Sequence, residues 1–263
     1  MAFMEVNFFS DVLGMAMSMN VVVPQRTRGN IGVNPGECGE TFPTLWLLHG
    51  MSDDHTIWAR RTSVERYAEE HGVAVVMPTT YLGWYTDMKF GYRYRTFIGE
   101  ELPKICRSFF PGMSAKREDN YISGNSMGGY GSLALALTYP ENYGVCAPLS
   151  AAFDPTHLYN PEHPENTFFT DIFGPIDGFA GSPNDLFHMA EVRKNDGSPL
   201  PKLFIACGEN DFLLHDNHRM RDHLNALGYD VTYREPDGAH TWGFWDREIQ
   251  NVLNFIDETR KEI

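Results

Sequence analysis

A serine between two glycines gives the chain its clearest chemical signal. Residues 124–128 read Gly-Asn-Ser-Met-Gly, directly after the apolar segment Tyr121–Ser123 and directly before a segment of helical character. This Gly-x-Ser-x-Gly pattern is typical of a sharp strand-to-helix turn that exposes a serine hydroxyl at the end of a sheet. Side chains in place of the glycines would crowd the neighbouring strand and helix. The pattern predicts Ser126 as a nucleophile, and an ordinary helix N-cap serine is the alternative.

A serine hydroxyl needs a general base to become a useful nucleophile. In hydrolases with this nucleophile turn, an acid and then a histidine follow the serine, each in a loop after a later strand. The histidines after Ser126 are His157, His163, His188, His215, His218, His223 and His240. Among them, His240 directly follows the last predicted strand and precedes the last predicted helix. The order therefore predicts His240 as the base, with a locally bonded loop histidine as the alternative.

The acid should follow the predicted strand Lys202–Ala206, where residues 207–211 read Cys-Gly-Glu-Asn-Asp. Asp211 is the predicted acid, and Glu209 and Asp216 are the reserves. A buried aspartate that accepts a hydrogen bond from histidine Nδ1 fixes the tautomer of the ring and stabilises the imidazolium. The alternative role for Asp211 is an N-cap of the next helix.

Acyl transfer by serine also requires two backbone N–H groups that stabilise the developing oxyanion. One is expected from Met127, the residue after the nucleophile. The other is expected from Met51, in the loop after an early strand, where Gly50 permits a tight turn. We expect His49 to be structural, hydrogen-bonded beneath the site.

Two tryptophans flank predicted site loops, and two other features bear on metal binding and redox state. Trp84 and Trp242 are predicted substrate-pocket residues, with core or pocket wall as the alternative.

The segment Asp53–His55 has no complementary histidine pair, so it is weak as a metal site. The four cysteines show no zinc spacing and are expected to be buried free thiols; they are Cys38, Cys106, Cys146 and Cys207.

Short apolar runs that alternate with helical patterns must position these residues. The predicted runs are Thr44–Leu48, Val73–Met77, Asn120–Ser123, Gly144–Leu149, Lys202–Ala206 and Val231–Arg234. The predicted helices are Ile57–Glu70, Phe97–Phe110, Ser126–Tyr139, His215–Leu227 and Trp242–Glu258. This alternation predicts an α/β fold with a mostly parallel central sheet and helices on both faces. Met4–Phe9 and Met15–Val23 predict an antiparallel opening hairpin, and the Gly/Asn/Pro-rich segment Arg26–Thr41 predicts a surface loop.

The chain length of 263 residues fits a single domain spanning 1–263. Within it, Asp154–Pro201 has no clean period and is predicted to form an irregular excursion that acts as a partial lid. The formal net charge of −14 repels phosphate backbones and anionic lipid, which argues against nucleic-acid and membrane partners. No signal peptide is apparent, so a cytoplasmic protein is expected, although a leader trimmed from the sequence would escape notice.

Five short motifs in a fixed order resemble one known family. They are Leu48-His49-Gly50-Met51, Phe97-Ile98-x-x-Glu101-Leu102-Pro103, Gly124-Asn125-Ser126-Met127-Gly128-Gly129, Gly208-x-x-Asp211 and Gly238-x-His240-x-Trp242. Together they resemble the esterase D / S-formylglutathione hydrolase-like family of the α/β-hydrolase superfamily, and the bacterial tributyrin esterases look most similar within it. The resemblance spans nearly the whole chain.

This resemblance implies a serine esterase that acts on short acyl esters without a metal or other cofactor. It also implies the triad Ser126, Asp211 and His240, a small-molecule ester as the partner, and a homo-oligomer. Acetylated carbohydrate, S-formylglutathione and feruloyl esters are open alternatives for the substrate. The competing classes are a non-catalytic binding protein on the same fold, a serine peptidase and a C–C hydrolase.

Overall fold

The central element of the computed structural model is an eight-stranded sheet; the structure describes residues 1–25, 36 and 39–261. The strands are β1 (Ala2–Ser10), β2 (Met15–Val23), β3 (Thr44–Leu48), β4 (Ala74–Pro78), β5 (Asn120–Asn125), β6 (Val145–Leu149), β7 (Lys202–Ala206) and β8 (Val231–Arg234). Their order across the sheet is β1-β2-β4-β3-β5-β6-β7-β8. The strands from β4 to β8 in that order are parallel, whereas β1 and β2 are antiparallel additions.

Helices cover both faces of this sheet. They are α1 (Ile57–Arg61), α2 (Val64–His71), α3 (Tyr94–Thr96), α4 (Leu102–Phe109), α5 (Met127–Thr138), α6 (Phe168–Phe173), α7 (Leu186–Asn195), α8 (Leu214–Ala226) and α9 (Trp242–Lys261). One hydrophobic core lies between the sheet and α4, α5 and α8. A second core lies between the sheet and α1, α2 and α9. Because both faces are covered, β3 to β6 are buried along their whole length, as their near-continuous apolar sequences predict.

The opening hairpin is confirmed. β1 and β2 pair in register from Ala2↔Val23 to Ser10↔Met15, and Gly14 turns the chain with φ of 68°. β2 then pairs with β4, which attaches the hairpin to the parallel part of the sheet. The predicted loop Arg26–Thr41 lies largely outside the described residues.

Two helix predictions were wrong in detail. The predicted single helix Ile57–Glu70 is two helices, because the Thr62 hydroxyl donates to Trp58 O and accepts from the Val64 N–H. This side chain ends α1 and begins α2. The predicted helix Phe97–Phe110 begins earlier, at α3, and a π-helical turn over Phe97–Glu101 joins α3 to α4.

The segment 154–201 is more ordered than its sequence predicts. It contains α6 and α7, together with 3₁₀ turns at Pro155–Leu158 and Ile176–Gly178. Asp185 caps α7 by accepting hydrogen bonds from the Phe187 and His188 N–H groups. The excursion between β6 and β7 thus contains more regular structure than expected, and its role as a partial lid stays a prediction.

Candidate active site

Ser126 lies at the turn between β5 and α5, as the motif predicts. Its backbone has φ of 55° and ψ of −116°, a conformation that costs a non-glycine residue energy. A Cβ added at Gly128 would lie 2.6 Å from His49 O, and one added at Gly124 would lie 2.6 Å from Gly128 O. The turn therefore packs so tightly against the end of β3 that only glycine fits at both positions.

The two predicted oxyanion donors lie on elements that touch at this turn. Met127 is buried at the start of α5, where the first N–H groups of a helix have no intrahelical partner. Met51 follows Gly50 in a tight turn closed by a 3.3 Å hydrogen bond from the Asp53 N–H to Gly50 O. A Cβ at Gly50 would lie 2.9 Å from Asn125 Nδ2, so this loop lies directly against the residue that precedes Ser126. The donor roles stay predictions.

His49 is hydrogen-bonded beneath the oxyanion loop. The Thr80 N–H donates to its Nε2 at 3.0 Å, so the ring carries its proton on Nδ1 and donates to Gly50 O at 2.7 Å. Burial lowers the pKa of His49 to about 4, so the ring is neutral at pH 7. The Tyr85 hydroxyl donates to His49 O. These bonds fix the carbonyl groups of His49 and Gly50, the two residues that precede Met51.

Asp211 and His240 come from the loops after β7 and β8 and are in direct contact. His240 Nδ1 lies 2.9 Å from Asp211 Oδ2 and 3.1 Å from Oδ1. Burial raises the pKa of Asp211, but the hydrogen bonds from His240 and the Leu213 N–H outweigh it and hold the pKa below its ordinary value. An ionised Asp211 keeps the proton on Nδ1, which leaves Nε2 free to accept another.

The two reserve acids are placed elsewhere. Glu209 is exposed. Asp216 lies 3.7 Å from Arg219 on α8. Of the other histidines on α8, His218 contacts Glu235 and His223 donates to a backbone carbonyl.

Ser150 follows β6, which lies between the strands that precede Ser126 and Asp211, and sequence reasoning missed it. Ser126 N–H donates to Leu149 O at the end of β6, and Ser150 N–H donates to Ala206 O at the end of β7. Ser150 has φ of 44° and accepts a hydrogen bond from Trp245 Nε1 at 3.1 Å, and its side chain helps to lower the pKa of the Asp211 carboxyl. The three predicted triad residues, which follow β5, β7 and β8, therefore lie at the same carboxyl edge of the sheet. No sequence signal marks a lone serine after a strand.

Aromatic rings enclose the imidazole of His240. The Phe212 ring lies 4.5 Å from it between centroids and is 75% exposed, while the buried Trp245 ring meets it edge-on at 4.9 Å. Trp242 is half-buried and packs edge-on against Trp245 at 5.1 Å. Trp84, by contrast, is only 2% exposed and packs against other aromatic rings of the core. Pocket roles for Trp84 and Trp242 stay predictions.

The acidic segment near the oxyanion loop uses its side chains internally. Asp54 accepts from the Thr56 N–H and hydroxyl, and His55 Nδ1 contacts Thr79 Oγ1 at 2.8 Å. Across residues 1–25, 36 and 39–261, no three His, Cys, Asp or Glu side chains are grouped so that they could hold a metal ion. Three cysteines are free and buried, as expected; they are Cys106, Cys146 and Cys207. Cys38 lies outside the described residues.

A cleft of about 330 Å³ opens between the loop after β4 and α6. Its exposed aromatic side chains include Tyr81, Phe90 and Tyr92. Tyr81 follows Thr80, whose N–H donates to His49 Nε2, and none of the triad residues lines the cleft. We call it the aromatic cleft. A wider groove of about 710 Å³ lies between the hairpin and α1–α2, and none of the triad residues lines it.

The chain matches the model of a known protein family. The model of a family described as "Putative esterase" matches residues 10–256, which is most of the chain. No helix in the described part of the chain is long and apolar enough to span a membrane.

Three similar proteins cover almost the whole chain. An acetyl esterase of Caldicellulosiruptor saccharolyticus is 29% identical over 265 residues, which is 98% of this chain and 99% of that protein. The structure of a fluorophosphonate-binding serine hydrolase of Staphylococcus aureus is 32% identical with a TM-score of 0.86, covering 97% and 98% of the two chains. An S-formylglutathione hydrolase of the same species is also 32% identical, with a TM-score of 0.84 and the same coverage.

Proposed function

The chain belongs to the putative esterase family, and from this premise we propose that it is a serine carboxylesterase for short-chain acyl esters. The observation that supports this most strongly is the bond between His240 Nδ1 and the Asp211 carboxylate at the strand ends where Ser126 also lies. A nucleophile, a base and an orienting acid at one sheet edge are the parts that acyl transfer requires.

The reaction proceeds in two acyl-transfer steps. His240 Nε2 takes the proton of Ser126 as Oγ attacks the ester carbonyl, and Asp211 stabilises the imidazolium. The N–H groups of Met51 and Met127 stabilise the oxyanion, each contributing about 3 kcal/mol to the transition state. The C–O bond to the alcohol then breaks, and His240 protonates the departing oxygen. Water, deprotonated by His240, attacks the acyl-enzyme. The bond to Ser126 Oγ breaks, His240 returns the proton to Oγ, and the carboxylic acid leaves.

The alcohol part of the substrate is proposed to be a neutral, hydroxyl-rich group such as a carbohydrate. Exposed rings in the aromatic cleft offer flat apolar faces and hydroxyl groups that suit sugars, and Asp171 contributes a carboxylate. An acetylated sugar would also agree with the acetyl esterase relative. Trp242 would form a wall near the base, whereas the buried Trp84 would support the cleft from below.

S-formylglutathione is the second candidate, because one structural relative hydrolyses it by name. Its anionic peptide would need basic residues at the mouth, where the sequence offers Lys89, Arg93 and Arg95. Arg95 is buried, and its guanidinium donates to Tyr85 O, Pro183 O and Asn184 Oδ1. With Arg95 engaged in this way and a net charge of −14, a neutral ester is favoured.

Hydrolysis of p-nitrophenyl esters from acetate to octanoate tests the proposal, beside tributyrin, acetylated xylo-oligosaccharide, S-formylglutathione and methyl ferulate. We expect rapid cleavage that is restricted to short acyl chains and is lost in Ser126→Ala. Turnover that survives in Ser126→Ala would contradict the mechanism. Preferred cleavage of S-formylglutathione would contradict the neutral alcohol. Light scattering after size exclusion tests the homo-oligomer, which otherwise stays a prediction.

A further inference from the structure

An ionic cluster around one buried carboxylate lies behind the loop that carries His240. Glu248 on α9 is completely buried, and both of its carboxylate oxygens are occupied. Oε1 accepts from Arg247 Nε at 3.1 Å. Oε2 accepts from Arg234 Nε and Asn251 Nδ2, each at 3.1 Å. A buried carboxylate is costly unless it is paired and hydrogen-bonded in this way, so the cluster needs a reason for its position.

Its position relates it to the base. Arg234 is the last residue of β8, and the loop 235–240 that follows ends at His240. Arg247 Nη2 donates to Asp237 O in the middle of that loop at 2.6 Å. Glu248 therefore holds one guanidinium at the start of the loop and orients a second one toward its middle.

The opposite side of the loop is held by backbone bonds from the acid loop. Glu209 N–H donates to Pro236 O at 3.2 Å, and Asn210 N–H donates to Gly238 O at 2.9 Å. A Cβ at Gly208 would lie 2.4 Å from Gly238 O, so the two loops are in close contact. The loop that carries Asp211 is therefore bonded to one side of the loop 235–240, and α9 is bonded to the other side.

We infer that Glu248, with Arg247 and Arg234, positions His240 for proton transfer by fixing the loop 235–240 between α9 and the acid loop. Glu248 and Arg247 are positioning residues, since they act through the backbone and touch neither substrate nor reacting atoms. This inference rests on the proposed role of His240 as the base. Small displacements of a catalytic group lower the rate of the chemical step more than they weaken substrate binding.

Arg247→Met tests the inference, because methionine keeps an apolar stem that can cover Phe244, against which Arg247 packs. We expect kcat for p-nitrophenyl acetate to fall on the order of tenfold to a hundredfold while KM and the burst-titrated number of active sites stay unchanged. Arg247→Lys should restore part of kcat, since an ammonium can still donate to Asp237 O. Glu248→Gln, which keeps the shape but removes the charge, should lie between wild type and Arg247→Met.

Arg260→Met is the matched control. Arg260 also lies on α9 and donates to a backbone carbonyl, His71 O, but far from the site. A kcat for Arg247→Met equal to that of Arg260→Met would overturn the inference. A loss that appears only as fewer titratable sites or a lower Tm would overturn it as well, because that is the signature of a merely structural role.

A second readout does not depend on ester hydrolysis. The proton on His240 Nδ1 should give a far-downfield resonance in one-dimensional NMR spectra, identified by its loss in His240→Ala. Arg247→Met should broaden or shift this resonance, and Arg260→Met should leave it unchanged. Failure of the wild type to cleave any ester would refute the proposed function alone, whereas an unaltered resonance in Arg247→Met would refute the positioning role.

Discussion

Ser126, the proposed nucleophile, and His240, the proposed base, are held in place by opposite means. Ser126 and its turn are fixed by close approach of backbone atoms, with Cβ positions at Gly124 and Gly128 only 2.6 Å from neighbouring backbone oxygens. His240 is fixed by polar contacts, namely the Asp211 carboxylate in front and the cluster around Glu248 behind. The turn around Ser126 should therefore not tolerate larger side chains in place of its glycines. The loop of His240 should not tolerate the loss of a hydrogen-bonding partner.

Asp211→Asn should have the largest effect on the base side. The amide cannot stabilise the imidazolium and favours the wrong tautomer of His240, so kcat should fall by about 10⁴-fold. Initial rates with p-nitrophenyl acetate measure this loss, and near-UV circular dichroism checks that the fold is retained. The control is Asp216→Asn, the reserve acid, which lies on α8 beside Arg219. If Asp216→Asn were the more damaging change, the assignment of the acid would be wrong.

Gly128→Ala should have the largest effect on stability on the nucleophile side. Its Cβ would lie 2.6 Å from both Leu48 O and His49 O, so the first turn of α5 must move away from the end of β3. We expect the free energy of unfolding to fall by about 3 kcal/mol or more, as measured by urea denaturation.

Gly243→Ala is the matched control for that substitution. Gly243 lies in α9, and an added Cβ there would meet nothing within 4 Å. Alanine should therefore stabilise the helix by about 0.5–1 kcal/mol. Equal stability of Gly128→Ala and wild type would show that backbone crowding does not hold the nucleophile turn.

The same contrast explains what could be predicted from the sequence. The strands β7 and β8 were predicted with the bounds that the structure shows, and Ser126, Asp211 and His240 were placed at strand ends. The strands could be predicted because glycine or proline ends their apolar runs. The site residues could be predicted because an acid and a histidine follow the serine in a fixed chain order.

Long-range polar contacts leave no such local signal. Glu248 has an unremarkable place in a helical pattern, and its partner Arg234 comes 14 residues earlier, at the end of β8. The bond between Trp245 and Ser150 and the end of α1 at Thr62 likewise each depend on one hydroxyl group. No helix was predicted at α7, which begins after the N-cap Asp185. The nucleophile side was therefore easier to predict than the network that supports the base.

The pH dependence of the free energy of unfolding should distinguish the contribution of His49, on the nucleophile side, from that of Asp211, on the base side. The pKa of His49 falls from 6.5 to about 4 on folding, so the unfolded chain binds the proton first as the pH falls. As the pH is lowered from about 6.5 to about 4, the free energy of unfolding should decrease by about 3 kcal/mol in total. Below about pH 4, His49 should contribute no further change. The pKa of Asp211 is lowered, so its contribution is present above its unfolded value of 3.8 and is lost only as the pH falls below it.

Urea denaturation between pH 7 and pH 4 measures the His49 contribution. His49→Gln should flatten the dependence in this window, because glutamine does not titrate there. His215→Gln, at an exposed position on α8, should keep the wild-type slope. A slope in His49→Gln equal to that of wild type would mean that a different group titrates, and that the nucleophile side is held without this histidine.

Phe212→Ala should have the smallest effect and decides what holds the ring of His240. The Phe212 ring lies 4.5 Å from the imidazole but is 75% exposed, so its contact excludes little water. Aromatic pairs contribute about 0.5–1.5 kcal/mol, which limits the fall in kcat to about tenfold. If hydrogen bonds orient the base, kcat in Phe212→Ala should remain far above that of Asp211→Asn in the same assay. A loss as large as that of Asp211→Asn would instead mean that packing orients the imidazole, so that the base, like the nucleophile, is held mainly by shape.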